Sequence, residues 1–266
     1  MEGWGATVKH LVTLLVVLCL GGVVWMMVRE ESQRSASIGA AGAASAPSLQ
    51  PAPPPASGTE QADEPQKIEY VLEDSPREAL VYAPSAHQSD AHRPLVLAMS
   101  PGGDAVGMVR RWIPAARAVG WIVASTAVVR NGTPDAQDRR ELAGLRDEVI
   151  RRFRADASRV VLDGFSGTGV GAYAQVLLAP GLYRGAIVEN SHMGSWRSYG
   201  SRAQPGKHVY LFTRTDDFNA PATRELLGVM RSAGWNVEYR ELAGSHAPMQ
   251  PAELVEAARW IDGAMR

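Results

Sequence analysis

Eight short apolar, strand-favouring runs are spaced along the last three-quarters of the chain, and from the third onward they alternate with segments of helical character. They are Ile68–Leu72, Ala79–Tyr82, Leu95–Met99, Trp121–Thr126, Val160–Asp163, Ala186–Val188, Val209–Thr213 and Val237–Leu242. Strands alternating with helices are joined by right-handed crossovers, which predicts a mostly parallel sheet flanked by helices, an α/β fold. Leu142, Leu145, Val149 and Phe153 share one helical face ahead of the fifth run. Leu226, Leu227 and Met230 form a second such face, and Leu254, Ala257, Ala258 and Ile261 a terminal one. The first two runs, separated by Asp74-Ser75-Pro76, predict an antiparallel start to the sheet.

The front of the chain is built differently. Leu11 to Val28 is an uncharged apolar run, preceded by Lys9 and followed by Arg29, Glu30 and Glu31. As a helix it would reach roughly 27 Å, close to the thickness of a hydrocarbon core. A cleaved signal has a shorter apolar region with small residues directly after it, whereas Met26-Met27-Val28-Arg29-Glu30 closes this one. The expectation is a transmembrane signal anchor over 11–28 behind a short flank, 1–10. The alternative is a secreted protein cut within Ala41–Ala46. Residues 29–66 are rich in Ala, Pro, Ser and Gly, with Pro51, Pro53, Pro54 and Pro55 clustered, and read as a disordered tether. A tether of this kind favours an extracytoplasmic position for the domain at 67–266.

Charge excludes one class of partner. With 27 basic and 28 acidic residues the chain carries no basic footprint for nucleic acid. Its one cysteine, Cys19, falls inside the apolar run, so the domain forms no internal disulfide. No Cys/His cluster suggests a metal, and no cofactor is implied; His192, beside Ser191, reads as a structural or site-lining histidine.

The chemistry begins where the fifth run ends. Val160-Val161-Leu162 leads into Gly164-Phe165-Ser166-Gly167-Thr168-Gly169 and then into the small, helix-compatible residues Ala172 to Leu178. A serine on a sharp turn between strand and helix is lifted out of the sheet, with the positive N-terminus of the helix aimed at it. The seventh run ends in Arg214-Thr215-Asp216-Asp217-Phe218-Asn219, and the eighth in Ala243-Gly244-Ser245-His246. Taken singly, Ser166 is a turn residue, Asp217 a helix cap and His246 a loop histidine. Together they stand just past three strand ends, where open α/β sheets place their sites. Serine needs an adjacent base to act as a nucleophile, and the base needs a carboxylate to orient it.

On these residues the stretch from about Lys67 to the C-terminus resembles the α/β-hydrolase superfamily. It looks most like the small, lidless esterases grouped with polyhydroxyalkanoate depolymerases and feruloyl esterases. Asp156 to Ser166, Asp217-Phe218-Asn219 and Gly244-Ser245-His246 carry the likeness, and Pro94 to Asp104 resembles the strand and glycine loop of an oxyanion donor. The resemblance implies a catalytic Ser166, His246 and Asp217, with Asp216 as the alternative acid. It also implies an oxyanion hole from the N–H of Gly167 and a second N–H at Gly102 or Gly103. Thr168 stands where relatives usually have glycine, a β-branched residue at a tight contact; Ser100-Pro101 replaces the usual His-Gly, and Arg214 a frequent glycine. About 20 residues separate the sixth run from the seventh, where many hydrolases insert a lid, so an open site is expected. The leading expectation is an esterase acting on small-molecule or polymeric carboxylic esters. A peptidase or acyltransferase on the same three residues is one alternative. A non-catalytic binding domain on this scaffold is another.

Overall fold

The computed structural model describes residues 64–85 and 92–266. The apolar run 11–28 and most of the tether lie outside the described residues. Within them no helix is long and apolar enough to cross a membrane.

Eight strands form one sheet in the order β1-β2-β4-β3-β5-β6-β7-β8. They are β1 (Gln66–Leu72), β2 (Ser75–Tyr82), β3 (Arg93–Met99), β4 (Ile122–Ser125), β5 (Ala155–Phe165), β6 (Gly185–Glu189), β7 (His208–Arg214) and β8 (Asn236–Leu242). β1 and β2 form an antiparallel hairpin whose second strand runs antiparallel to β4, and every other pairing is parallel. The hairpin turns at Glu73 and Asp74, both at positive φ.

The alternation of side chains along each strand divides the core into two layers. Leu95, Leu97 and Met99 of β3 point to one face with Val160 and Leu162 of β5. Val96, Ala98 and Val161 point to the other. Against the first face pack α2 (Asp135–Phe153), α3 (Gly167–Leu178) and α5 (Ala220–Ser232), through Leu142, Leu145, Val149, Tyr173, Val176, Leu226 and Met230. Against the second pack α1 (Ala105–Val119) and α6 (Pro251–Ala264), through Val109, Trp112, Leu254, Ala257, Ala258 and Ile261. Phe153 and Leu227, expected on buried helical faces, are only partly buried. The link from β6 to β7 carries only the short α4 (Gly194–Tyr199) and a single turn of 3₁₀ helix, Gly200–Arg202. Both Ser166 and His246 are half-buried rather than enclosed.

Candidate active site

β5 leaves the sheet at Phe165, and α3 starts at Gly167, so Ser166 alone makes the turn. Its backbone sits at φ 56°, ψ −122°, a region that costs a non-glycine residue on the order of 1–3 kcal/mol. Hydrogen bonds hold it there. Ser166 N donates to Glu189 O (2.9 Å), while Gly169 N and Val170 N donate to Ser166 O (3.1 and 3.2 Å). Ser191 Oγ donates to the same carbonyl at 2.9 Å. The turn is tight enough to demand glycine on both sides. A Cβ on Gly164 would lie 2.3 Å from Thr168 O, and one on Gly169 would lie 2.1 Å from Ser191 Oγ.

Thr168 does not crowd this turn. Its side chain is buried, with Oγ1 placed to donate to Phe165 O (2.8 Å) and Met99 O (3.2 Å). The close backbone approach expected at this position falls one residue later, at Gly169.

The three strand ends meet. His246 Nε2 lies 3.1 Å from Ser166 Oγ, and its Nδ1 lies 2.6 Å from Asp217 Oδ2. Asp217 is buried, and its Oδ1 accepts the backbone N–H of Asn219 at 2.7 Å. Asp216 is exposed, with only Thr215 Oγ1 at 3.3 Å against its carboxylate. The imidazole sits between two phenyl rings, Phe165 at 4.7 Å and Phe218 at 4.4 Å between centroids.

Directly after Ser166, Gly167 is the first residue of α3, whose N–H has no intrahelical carbonyl to meet. In the facing loop, Gly103 N donates to Ser100 O (3.1 Å) and Asn131 N to Pro101 O (3.0 Å). The Gly103 N–H is thereby committed to its own turn, which leaves Gly102 of the two expected donors. Ser100 and Pro101 thus close the loop with their carbonyls. Arg214 has a structural place as well: its guanidinium grips Glu253 (2.9 and 2.7 Å) and stacks on Phe212. His192 accepts the N–H of Gly194 on Nδ1 (3.0 Å), at the start of α4.

Several residues that sequence reasoning passed over support the site. Below the turn, Arg111 of α1 binds both oxygens of Glu189 (2.6 and 3.0 Å) and reaches Asp163 Oδ2 at 3.2 Å. Trp112 Nε1 donates to that Asp163 oxygen at 2.7 Å. Glu189 also accepts Met249 N at 2.5 Å, three residues past His246. Burial, then the neighbouring Glu189 carboxylate, holds the Asp163 carboxyl well above the usual carboxylate range. Asn190 bridges the other two loops, donating to Ala247 O (2.6 Å) and accepting Arg214 N (2.9 Å). The available signal was a charged residue closing an apolar strand, as in Val160-Val161-Leu162-Asp163 and Ala186-Ile187-Val188-Glu189.

No protein-family model matches the sequence. No curated protein matches it either. Solved structures do. A ferulic acid esterase, 13% identical, superposes with a TM-score of 0.60 over 76% of this chain and 98% of its own. The Pyrobaculum calidifontis esterase, 12% identical, gives 0.61 over 75% and 85%. A substrate-bound fluorophosphonate-binding serine hydrolase of Staphylococcus aureus, also 12% identical, gives 0.61 over 76% and 98%. At such identities the likeness is one of architecture, and it agrees with the sheet order and the strand–serine–helix turn: the chain has the fold of the lidless α/β-hydrolases.

Proposed function

We infer that the protein is a serine hydrolase of carboxylic esters. The observation that carries this reading is the unbroken line Asp217 Oδ2–His246 Nδ1, His246 Nε2–Ser166 Oγ, ending on a serine held at positive φ. Asp217 orients the imidazole so that Nε2 can take the Ser166 proton as Oγ attacks the ester carbonyl. The carbonyl oxygen becomes an oxyanion, held by the N–H of Gly167 and that of Gly102. Each such donor contributes on the order of 3 kcal/mol to lowering the barrier. The imidazolium then returns the proton to the departing alkoxide, leaving an acyl group on Ser166. Water, deprotonated by His246 in its turn, releases the acid.

Turnover of p-nitrophenyl acetate by residues 64–266, and its loss in His246→Ala, tests this reading. Hydrolysis of peptide anilides in preference to esters would instead mark a peptidase. Faster loss of ester with added alcohol, accompanied by a new ester product, would mark an acyltransferase. Inertness on all of these would mark a binding domain.

The apolar run 11–28 supports a single-pass anchor, with the hydrolase domain held outside the cytoplasm by the tether. Cell fractionation and sequencing of the mature N-terminus test this. A soluble form beginning within Ala41–Ala46 would show a cleaved signal instead.

A further inference from the structure

Between the first turns of α2 and α3 lies a cavity of about 170 Å³ that the reaction steps above leave unused. Gly167 and Thr168 form its wall on the nucleophile side, Arg130 and Asn131 come from the loop after β4, and Asp135, Asp138 and Gly171 also line it. The leaving group must lie toward His246, because Nε2 hands it the proton. A cavity walled by Gly167, the residue next to Ser166, and not by His246 is therefore placed for the acyl chain.

Asp138 is the odd residue in this wall. It is only 6% exposed, and its Oδ1 is buried without a hydrogen-bond partner. A carboxylate in that position is costly. Burial, then the carboxylates of Asp135 and Glu141, push its pKa up to about 7. The helix N-terminus accounts for acidic residues in this turn, but not for an orphan oxygen. The neighbouring acids are engaged. Asp135 accepts the Tyr199 hydroxyl at 2.8 Å, and Glu141 binds Arg77 Nε at 3.0 and 2.9 Å. Gly171 brings bare backbone up to Asp138, for a Cβ there would stand 3.9 Å from Oδ2. Arg130 runs its stem along Gly103, toward the oxyanion loop.

We propose that this cavity is the acyl subsite, and that Asp138, with Asp135 beside it, selects esters whose acyl chain ends in a primary ammonium group. This rests on the serine-esterase reading. An entering ammonium supplies the hydrogen-bond donor that Asp138 Oδ1 lacks and a positive charge for both acids, and Asp138 releases its proton to solvent as the ion pair forms.

The test compares p-nitrophenyl esters that differ in one terminal group: β-alaninate against butyrate and hemisuccinate, and 6-aminohexanoate against heptanoate. Each kcat/KM is divided by the hydroxide-catalysed rate of the same ester. The expected result is a preference of tenfold or more for at least one ammonium ester over its methyl isostere. That ratio should fall to near one in Asp138→Asn, with folding checked by melting temperature. Gly171→Leu, which fills the cavity without altering a charge, should erase the preference too, and so covers the case in which the Asn variant does not fold. Ester turnover with no ammonium preference, a preference for hemisuccinate, or a preference that survives both variants would overturn the subsite while leaving the esterase reading intact. Inertness toward all five esters would overturn both.

Discussion

Asp216 and Asp217 are adjacent carboxylates with opposite fates, and the difference is one of direction. Consecutive side chains at a strand exit diverge, so one enters the site, buried against His246 and Asn219, and the other faces water. Asp217→Asn should lower kcat by roughly 10⁴-fold, the scale of a triad carboxylate converted to an amide. Asp216→Asn should leave kcat within a few-fold, since it removes a solvated charge. Steady-state rates at matched melting temperatures check both, and a large loss confined to the Asp216 variant would reassign the acid. The residues of this line were legible because chain order and strand ends placed them. Sequence left Gly102 and Gly103 equivalent; only the hydrogen bond of Gly103 N to Ser100 O separates them. Thr168 was read by its shape, but its hydroxyl, which meets two carbonyls, decides how it fits.

The strands were legible as elements because each carries an apolar run, and all eight lie where those runs stand. Their polar ends were not. β5 begins at Ala155, five residues before Val160, because Ala155 pairs with Arg93 of β3 ahead of a register shift, and Asp156, Ser158 and Arg159 bond one another across that irregular stretch. The short α4 has no apolar periodicity to announce it. Least visible was the ionic knot of Arg111, Asp163 and Glu189, which joins α1, β5 and β6 to the loop after His246 through Met249. A buried knot of this kind comes from long-range convergence, and sequence shows only that two apolar runs end in acids. Replacing one partner strands the others. Arg111→Met should therefore cost about 3–5 kcal/mol, a fall of roughly 10 °C in Tm for a domain of this size. Thermal melts measure this. An unchanged Tm would mean that the guanidinium does not offset the buried Glu189 carboxylate.

Across the whole molecule, Asp138 gives stability a pH dependence whose sign can be worked out. Its folded pKa, about 7, lies above the ordinary value near 4 that the unfolded chain recovers. Between those values the folded state holds the proton that the unfolded state releases, so this contribution is complete below about pH 4. It is lost as pH rises through 7, by as much as about 1.4 kcal/mol per unit. Asp138→Asn carries no titrating group there. It should melt higher than the unaltered protein at pH 8, and the gap should narrow by pH 5; a gap that widens toward acid would contradict the burial of this carboxyl. A fluorophosphonate probe, with mass spectrometry of the labelled peptide, shows whether the fold presents one activated serine. A single adduct on Ser166 is expected, absent from Ser166→Ala and strongly slowed in His246→Ala. Labelling of the Ser166→Ala protein at the unaltered rate, or none of the unaltered protein, would contradict it.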